Sequence, residues 1–413
     1  MSTLQLLSLL ALTAGLFGWV SSRWLKIPIT IGTMLLTVAA SLGLLWLSHG
    51  DPRFEKWAAG LTSQISFEHL ILHGMLPFLL FAAAFLLDLE YLAREKLLVT
   101  VFSLGGTVIS TLATALLMAW LLPLIGLHPA WIECLIFGAL ISPTDPIAVV
   151  EMLRRVGAPK RLQAQLAGES LFNDGVGAVL FLAFLEASRG ATPSVLQVGW
   201  LLVLEAGGGL LLGVAAAWVC SYLMRFTDAF QLEILFTIGL AVGGYALAEM
   251  LHLSPPLEAV AAGLALRYWN QKHPEDSISH EGIDRVWTVI DEMLNGVLFV
   301  LLGLEVLEIH FDWQLLRAGG TAVISVTAVR VIVVAALVTI VRLVQRGHPI
   351  SIAAMTWGGL RGGLSLALAF SVPAGAGRGW IVATTYVVVL FSIVVQGGAL
   401  ELMLRRRAPQ ESV

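Results

Sequence analysis

Pro143-Thr144-Asp145-Pro146 interrupts an apolar run that extends from 130 to 153. A helix needs about 20 apolar residues to cross the hydrocarbon core of a bilayer, so the run is long enough to span one. Pro143 and Pro146 cannot donate backbone hydrogen bonds, and their rings clash with a continuing helix. The reading is therefore a transmembrane helix broken near its centre. A second break of the same kind, Gly358-Gly359-Leu360-Arg361-Gly362-Gly363, lies near the centre of another apolar run at 350–372.

The rest of the chain agrees with a bilayer as its solvent. Of 413 residues, 58% are hydrophobic and only 13% charged, against roughly 25% charged in a soluble domain. Mean hydropathy is +0.87. This composition predicts an all-α polytopic membrane protein. The net charge of -4 is small and the basic residues sit between apolar runs, which gives no sign of a nucleic-acid partner. Cys134 and Cys220 fall inside apolar runs without metal-ligand spacing and read as packing residues.

Apolar runs lie near 4–21, 28–48, 68–92, 98–125, 130–153, 162–187, 195–224, 231–251, 255–270, 286–306, 314–341, 350–372 and 380–404, which is thirteen expected transmembrane helices. The first lacks the basic start and cleavage site of a signal peptide and reads as a retained helix. No linker divides the chain, so 1–413 is expected to be a single membrane domain, with no soluble regulatory domain after the last span. Seventeen Lys and Arg residues fall in the odd-numbered joints and the C-terminal tail, against five in the even-numbered joints. That bias places the C-terminus in the cytoplasm and the N-terminus outside.

Thirteen spans divide as six, one and six. Because an odd number separates the two sixes, they enter the membrane from opposite sides. The expectation is two inverted repeats, about 4–187 and 231–404, joined by a linking helix at about 195–224. Inverted repeats and interrupted helices at matched places characterise secondary transporters, and here the two breaks fall in matched spans.

Five ionisable residues lie near the middle of apolar spans: Asp145, Glu169, Asp174, Arg330 and Arg361. Each costs at least ~2.5–3.5 kcal/mol at the bilayer centre if it faces lipid, so all should turn inward and pair or line water. In Gly168-Glu169-Ser170-Leu171-Phe172-Asn173-Asp174-Gly175, helical spacing stacks Glu169 with Asn173 and Ser170 with Asp174. Asp174, Ser170 and Thr144 then offer oxygen ligands suited to a hard cation such as Na+, and the absence of histidine or cysteine argues against zinc or copper. Three carboxylates against two arginines leave one carboxylate that needs a proton or a cation as partner. Asp174 is that group by its oxygen neighbours. Glu169 is expected to clamp Arg330, while Asp145 and Arg361 balance the dipoles of the broken half-helices. A cation channel could use the same oxygens, but a channel seldom needs a titratable carboxylate as its sole ligand. An intramembrane aspartyl protease would have Asp145 and Asp174 in neighbouring spans, but it would leave both arginines without a role and the Gly-x-Gly-Asp context missing.

Thr144-Asp145-Pro146, Gly168-Glu169-Ser170 with Asn173-Asp174, and Gly358-Gly359-Leu360-Arg361-Gly362 resemble the motifs of the NhaP-type sodium/proton antiporters, prokaryotic relatives of the animal sodium/proton exchangers. The resemblance covers nearly the whole chain. It implies a homodimer in the cytoplasmic (inner) membrane, with a dimerisation domain and a mobile core in which two unwound helices cross. It implies that Asp174 binds the ion with Thr144, Ser170 and Asp145 around it, and that Glu169 and Asn173 network with Arg330. The Asn-Asp pair implies electroneutral exchange of one cation for one proton in pH homeostasis. No cofactor is implied beyond the transported ions, with Na+, Li+ and K+ all open. One departure stands out: where many relatives carry Phe-Glu in the third span, this chain has Leu80-Phe81-Ala82-Ala83-Ala84, with Ala82 in place of the glutamate.

Overall fold

The computed structural model describes residues 3–48, 69–189, 195–227, 229–272, 277–307, 312–345, 350–373, 375 and 377–407. Arg53, Lys56 and Arg346, three of the charges that bear on orientation, lie outside the described residues. Helix is the only regular secondary structure among the described residues. In lipid this follows from chemistry, because a helix satisfies its own backbone hydrogen bonds.

Helix α1 (Thr3–Val20) passes through a π turn to α2 (Ile29–Ser48). A second π turn, Leu70–Met75, leads into α3 (Leu76–Phe85). The sequence placed the next joint between 92 and 98; the structure places it at 86–88. Asp88 is the residue able to start a helix there, and its carboxylate accepts the N–H groups of Glu90 and Tyr91 at 3.2 and 3.4 Å. From that cap the chain stays helical for 37 residues to Ile125, through α4 (Leu89–Thr100), a π turn at Val101–Gly106, and α5 (Thr107–Leu121). Arg94 and Lys96 therefore sit on a helix rather than in a loop.

The two interrupted runs each resolve into a pair of helices: α6 (Trp131–Ile141) with α7 (Pro146–Arg155), and α14 (Ile352–Trp357) with α15 (Gly363–Phe370). Between them run α8 (Lys160–Ser188), α9 (Val195–Met224), α10 (Phe230–Met250), α11 (Pro255–Lys272), α12 (Ser277–Leu304) and α13 (Trp313–Val344). The chain closes with α16 (Arg378–Phe391), a π turn at Ser392–Gln396, and α17 (Gly397–Arg407). Among the described residues, eight helical stretches are long and apolar enough to cross a membrane. Leu70–Phe85 and Trp131–Ile141 are shorter apolar helices.

The helices pack in two groups. In one, α8 lies on α4 and α6, α5 on α6, and α13 and α15 on α16. In the other, α11 lies on α9, α10 and α3, and α12 on α2 and α1. Lipid supplies no hydrophobic drive between helices, so close approach at small residues has to provide the attraction. Gly138 of α6 lies against the backbone of Thr111 on α5, and Gly263 of α11 lies against the carbonyl of Phe81 on α3. Adding a methyl group at Gly138 forces α5 and α6 apart. Gly138→Ala is expected to destabilise the protein by about 1–3 kcal/mol, measured as a lowered thermal unfolding midpoint in detergent.

Candidate functional site

The two breaks meet in the first packing group. The Asp145 N–H donates to the Leu360 carbonyl at 2.7 Å, so the unwound stretches are joined backbone to backbone where they cross. Half-helix α6 ends here with its carbonyls unmet, the negative end of its dipole. Arg361 donates to the carbonyls of Ser142 and Pro143, the latter at 2.8 Å. Its own N–H is held by the Ser392 hydroxyl at 2.8 Å, and that hydroxyl donates to Gln396 at 2.6 Å. Both residues belong to the π turn after α16, whose wider winding carries them to the crossing. A Cβ at Gly362 would overlap the Asp145 carboxylate, so glycine is needed for this approach.

The long helix α8 anchors the first break from the side. Asn173 accepts the Thr144 N–H at 3.1 Å and donates to the Thr144 hydroxyl at 2.8 Å. The Thr144 and Ser170 hydroxyls are 2.8 Å apart. One step away, Arg330 of α13 forms a two-point pair with Glu169, its Nη2 lying 3.1 Å from Oε2, and donates to the Met355 carbonyl at 2.7 Å. Gly359 leaves the room that this guanidinium occupies. Arg330 thus ties together α8, α13 and α14, and the expected pairing with Glu169 is present.

Asp174 is treated differently from all of these. It is 7% exposed, and its carboxylate makes no protein hydrogen bond among the described residues. With Thr144, Asp145 and Ser365 it lines a cavity of about 50 Å³, whose other wall is Leu79, Leu80, Ala83 and Leu298. That volume is of the order of one or two waters. Asp145 and Arg361 are the charged groups that act on it. Ser170 does not line the cavity and reaches it through Thr144. Among the described residues no three His, Cys, Asp or Glu side chains group as a metal site, so any ion here would rely on hydroxyl, backbone and water oxygens beside one or two carboxylates.

Two larger cavities flank this small one. A vestibule of about 500 Å³ shares Ala83 and Pro146 with it and carries Thr30, Glu151, Arg154 and Asp291. Another of about 410 Å³ shares Leu76 and Leu364 and carries His73, Glu186 and Glu249. His73 meets Glu249 at 2.9 Å and stacks on His69. Ala82 points away from the site into a cluster with Phe81, Phe85 and Leu266, and it is Ala83 that faces the cavity. Sequence reasoning missed Ser142, Ser365, Ser392 and Gln396. Ser392 and Gln396 share the stretch 380–397 with Thr384, Thr385 and Tyr386, so polarity alone did not single them out.

The sodium/hydrogen exchanger transmembrane family pattern matches residues 8–406. The chain is 38% identical over 407 residues to the Na+/H+ antiporter NhaP of Pseudomonas aeruginosa, covering 96% of this chain and 95% of that one. It is 30% identical to the Na+/H+ antiporter NhaH of Halobacillus dabanensis, covering 98% and 97%. Its fold is similar to that of the sodium proton antiporter MjNhaP1 from Methanocaldococcus jannaschii, with a TM-score of 0.72, 20% identity and 99% of each chain covered.

Removing one member of the Glu169–Arg330 pair leaves a buried charge without its partner. Glu169→Gln and Arg330→Met are each expected to destabilise by about 3–5 kcal/mol. The double variant should recover a substantial part of that loss, as measured by a double-mutant cycle on thermal unfolding in detergent.

Proposed function

The chain belongs to the sodium/hydrogen exchanger family, and from that premise we propose that Asp174 is the single group at which Na+ and H+ compete as the protein exchanges them. The observation that carries this reading is a buried carboxylate without a protein partner, placed between two vestibules. Every other charged group at the crossing is engaged by the backbone or by a partner, so the Asp174 carboxylate takes its countercharge from solution. An ionised carboxylate in a low-dielectric site is costly when empty, so occupancy by a proton or a cation is the condition for movement. A proton enters from one vestibule, the packing group that carries the crossing shifts, and a cation replaces the proton from the other side.

In this reading Thr144 supplies a hydroxyl oxygen to the ion, Ser170 serves the site by holding that hydroxyl from behind at 2.8 Å, and Asp145 adds negative charge beside it. Asn173 holds the unwound stretch in place, Glu169 and Arg330 brace it, and Arg361 fastens the two breaks together. Exchange is electroneutral, one cation for one proton, because Asn173 stands beside Asp174 where a second ionisable aspartate would add a charge. Li+ and K+ are candidate cations alongside Na+, since the wall facing Asp174 brings no oxygen ligand of its own. The active form is a homodimer in the cytoplasmic membrane with thirteen crossings, two inverted repeats and its C-terminus inside. The 500 Å³ vestibule then opens to the cytoplasm, and the protein serves pH homeostasis.

The test is proton release from everted vesicles on adding NaCl. Asp174→Asn should abolish it and Asp174→Glu should keep part of it; full exchange in Asp174→Asn would sink the assignment. Where protons occupy most of the site, the apparent KM for Na+ should fall about tenfold for each pH unit raised. A KM independent of pH would mean that the two ions do not share a site.

A further inference from the structure

The 500 Å³ vestibule is lined along one side by α12, through Thr288, Asp291, Glu292, Met293, Asn295 and Gly296. Thr288, Asp291 and Asn295 line it, and Leu298, the next residue on the same face, lines the cavity of Asp174. Spacings of three and four keep these four side chains on one stripe. From Asp291 to Leu298 the stripe is about 10 Å long at ~1.5 Å per residue. It connects the vestibule with the ion site.

Asn295 on this stripe is 2% exposed. Its amide donates to Asp291 at 3.1 Å, while its carbonyl oxygen has no partner. A buried acceptor left unmet costs about 1–3 kcal/mol, so the position calls for a ligand that an oxygen can hold. The Thr288 hydroxyl donates to the Asp284 carbonyl at 2.7 Å and so keeps its lone pairs for another donor or an ion. Carboxylate, amide carbonyl and hydroxyl form an oxygen-only set, the kind that takes a hard cation.

We propose that Asp291 and Asn295 form a second cation-binding station, which holds a partly hydrated monovalent cation on its passage between the vestibule and Asp174. The proposal rests on the reading of Asp174 as the exchange site. The surrounding charges tune it toward weak binding. Glu292 of α12 lines the same vestibule, and Arg154 of α7 faces Asp291 as an opposing positive charge. Glu151 of α7 is committed to the Ile29 N–H and the Thr30 hydroxyl at 3.2 and 2.8 Å. Asp145 also acts on Asp291 electrostatically, so a cation between them feels both carboxylates. A station that must release its ion quickly needs such moderation.

Two measurements on the full-length purified protein test it. In equilibrium binding of radioactive sodium, Asp174→Asn should retain weak binding, and Asp174→Asn with Asp291→Asn should lose it. In proteoliposomes at low ionic strength, Asp291→Asn should raise the KM for Na+ presented on the vestibule side by about tenfold, with Vmax within about twofold, as expected for loss of local cation enrichment. Asp291→Glu should restore most of the affinity, and Asn295→Leu should raise KM severalfold. A wild-type KM in Asp291→Asn and Asn295→Leu overturns the proposal, as does absence of sodium binding to Asp174→Asn. A fall in Vmax at unchanged KM also overturns it and makes Asp291 a packing residue. Exchange retained by Asp174→Asn would instead overturn the Asp174 reading, which separates the two failures.

Discussion

A backbone N–H or C=O without a partner costs several kcal/mol inside a membrane, and a broken helix releases such groups at the depth where no lipid can meet them. Two breaks at one level make that problem acute, and most of the polar side chains near the crossing answer it. The Leu360 carbonyl takes the Asp145 N–H, Arg361 takes the carbonyls of Ser142 and Pro143, Asn173 takes the Thr144 N–H, and Ser392 takes the Arg361 N–H. Arg330 adds the Met355 carbonyl to its pairing with Glu169. What remains among the described residues after these assignments is the Asp174 carboxylate, which lines the small cavity beside the crossing.

This order of causes explains why the arginines do not simply neutralise the site. Arg361 is directed at the carbonyl end of a half-helix, where partial negative charge accumulates. Arg330 is held by a carboxylate of its own. Both therefore act on the scaffold of the site, and the proposed exchange at Asp174 needs that, because Asp174 must be able to change partner. An arginine paired directly with Asp174 would hold the charge permanently and leave nothing for a proton and a cation to exchange.

Much of this was legible in the sequence, because the features involved are local. Proline at 143 and 146 and glycine at 358, 359, 362 and 363 announce the breaks through backbone chemistry alone, and the rarity of charge in apolar runs singles out the five midplane residues. The Glu169–Arg330 pair followed from depth and charge. Features that depend on rotation about a helix axis were not legible. Ala82 and Ala83 differ by about 100° around α3, which decides which of them faces the cavity. The π turn that brings Ser392 to the crossing leaves no mark of its own in composition. The stripe through Asp291 and Asn295 means nothing until α12 is set beside the vestibule. The joint at 86–88 was missed because the polar residues after it prolong a helix as readily as they end one.

The wall opposite Asp174 is hydrocarbon, formed by Leu79, Leu80, Ala83 and Leu298. A surface of that kind has no preferred register. Displacing it by a few ångströms exchanges one set of dispersion contacts for another of similar strength, and no hydrogen bond has to break in step with the motion. In the cycle proposed above, the carboxylate and its oxygens would thus travel with their own helices as a cartridge past a greased face. In the proposed cycle the resistance to travel then comes from the state of the cartridge's charge, which would make the ion the clutch of the machine as well as its load.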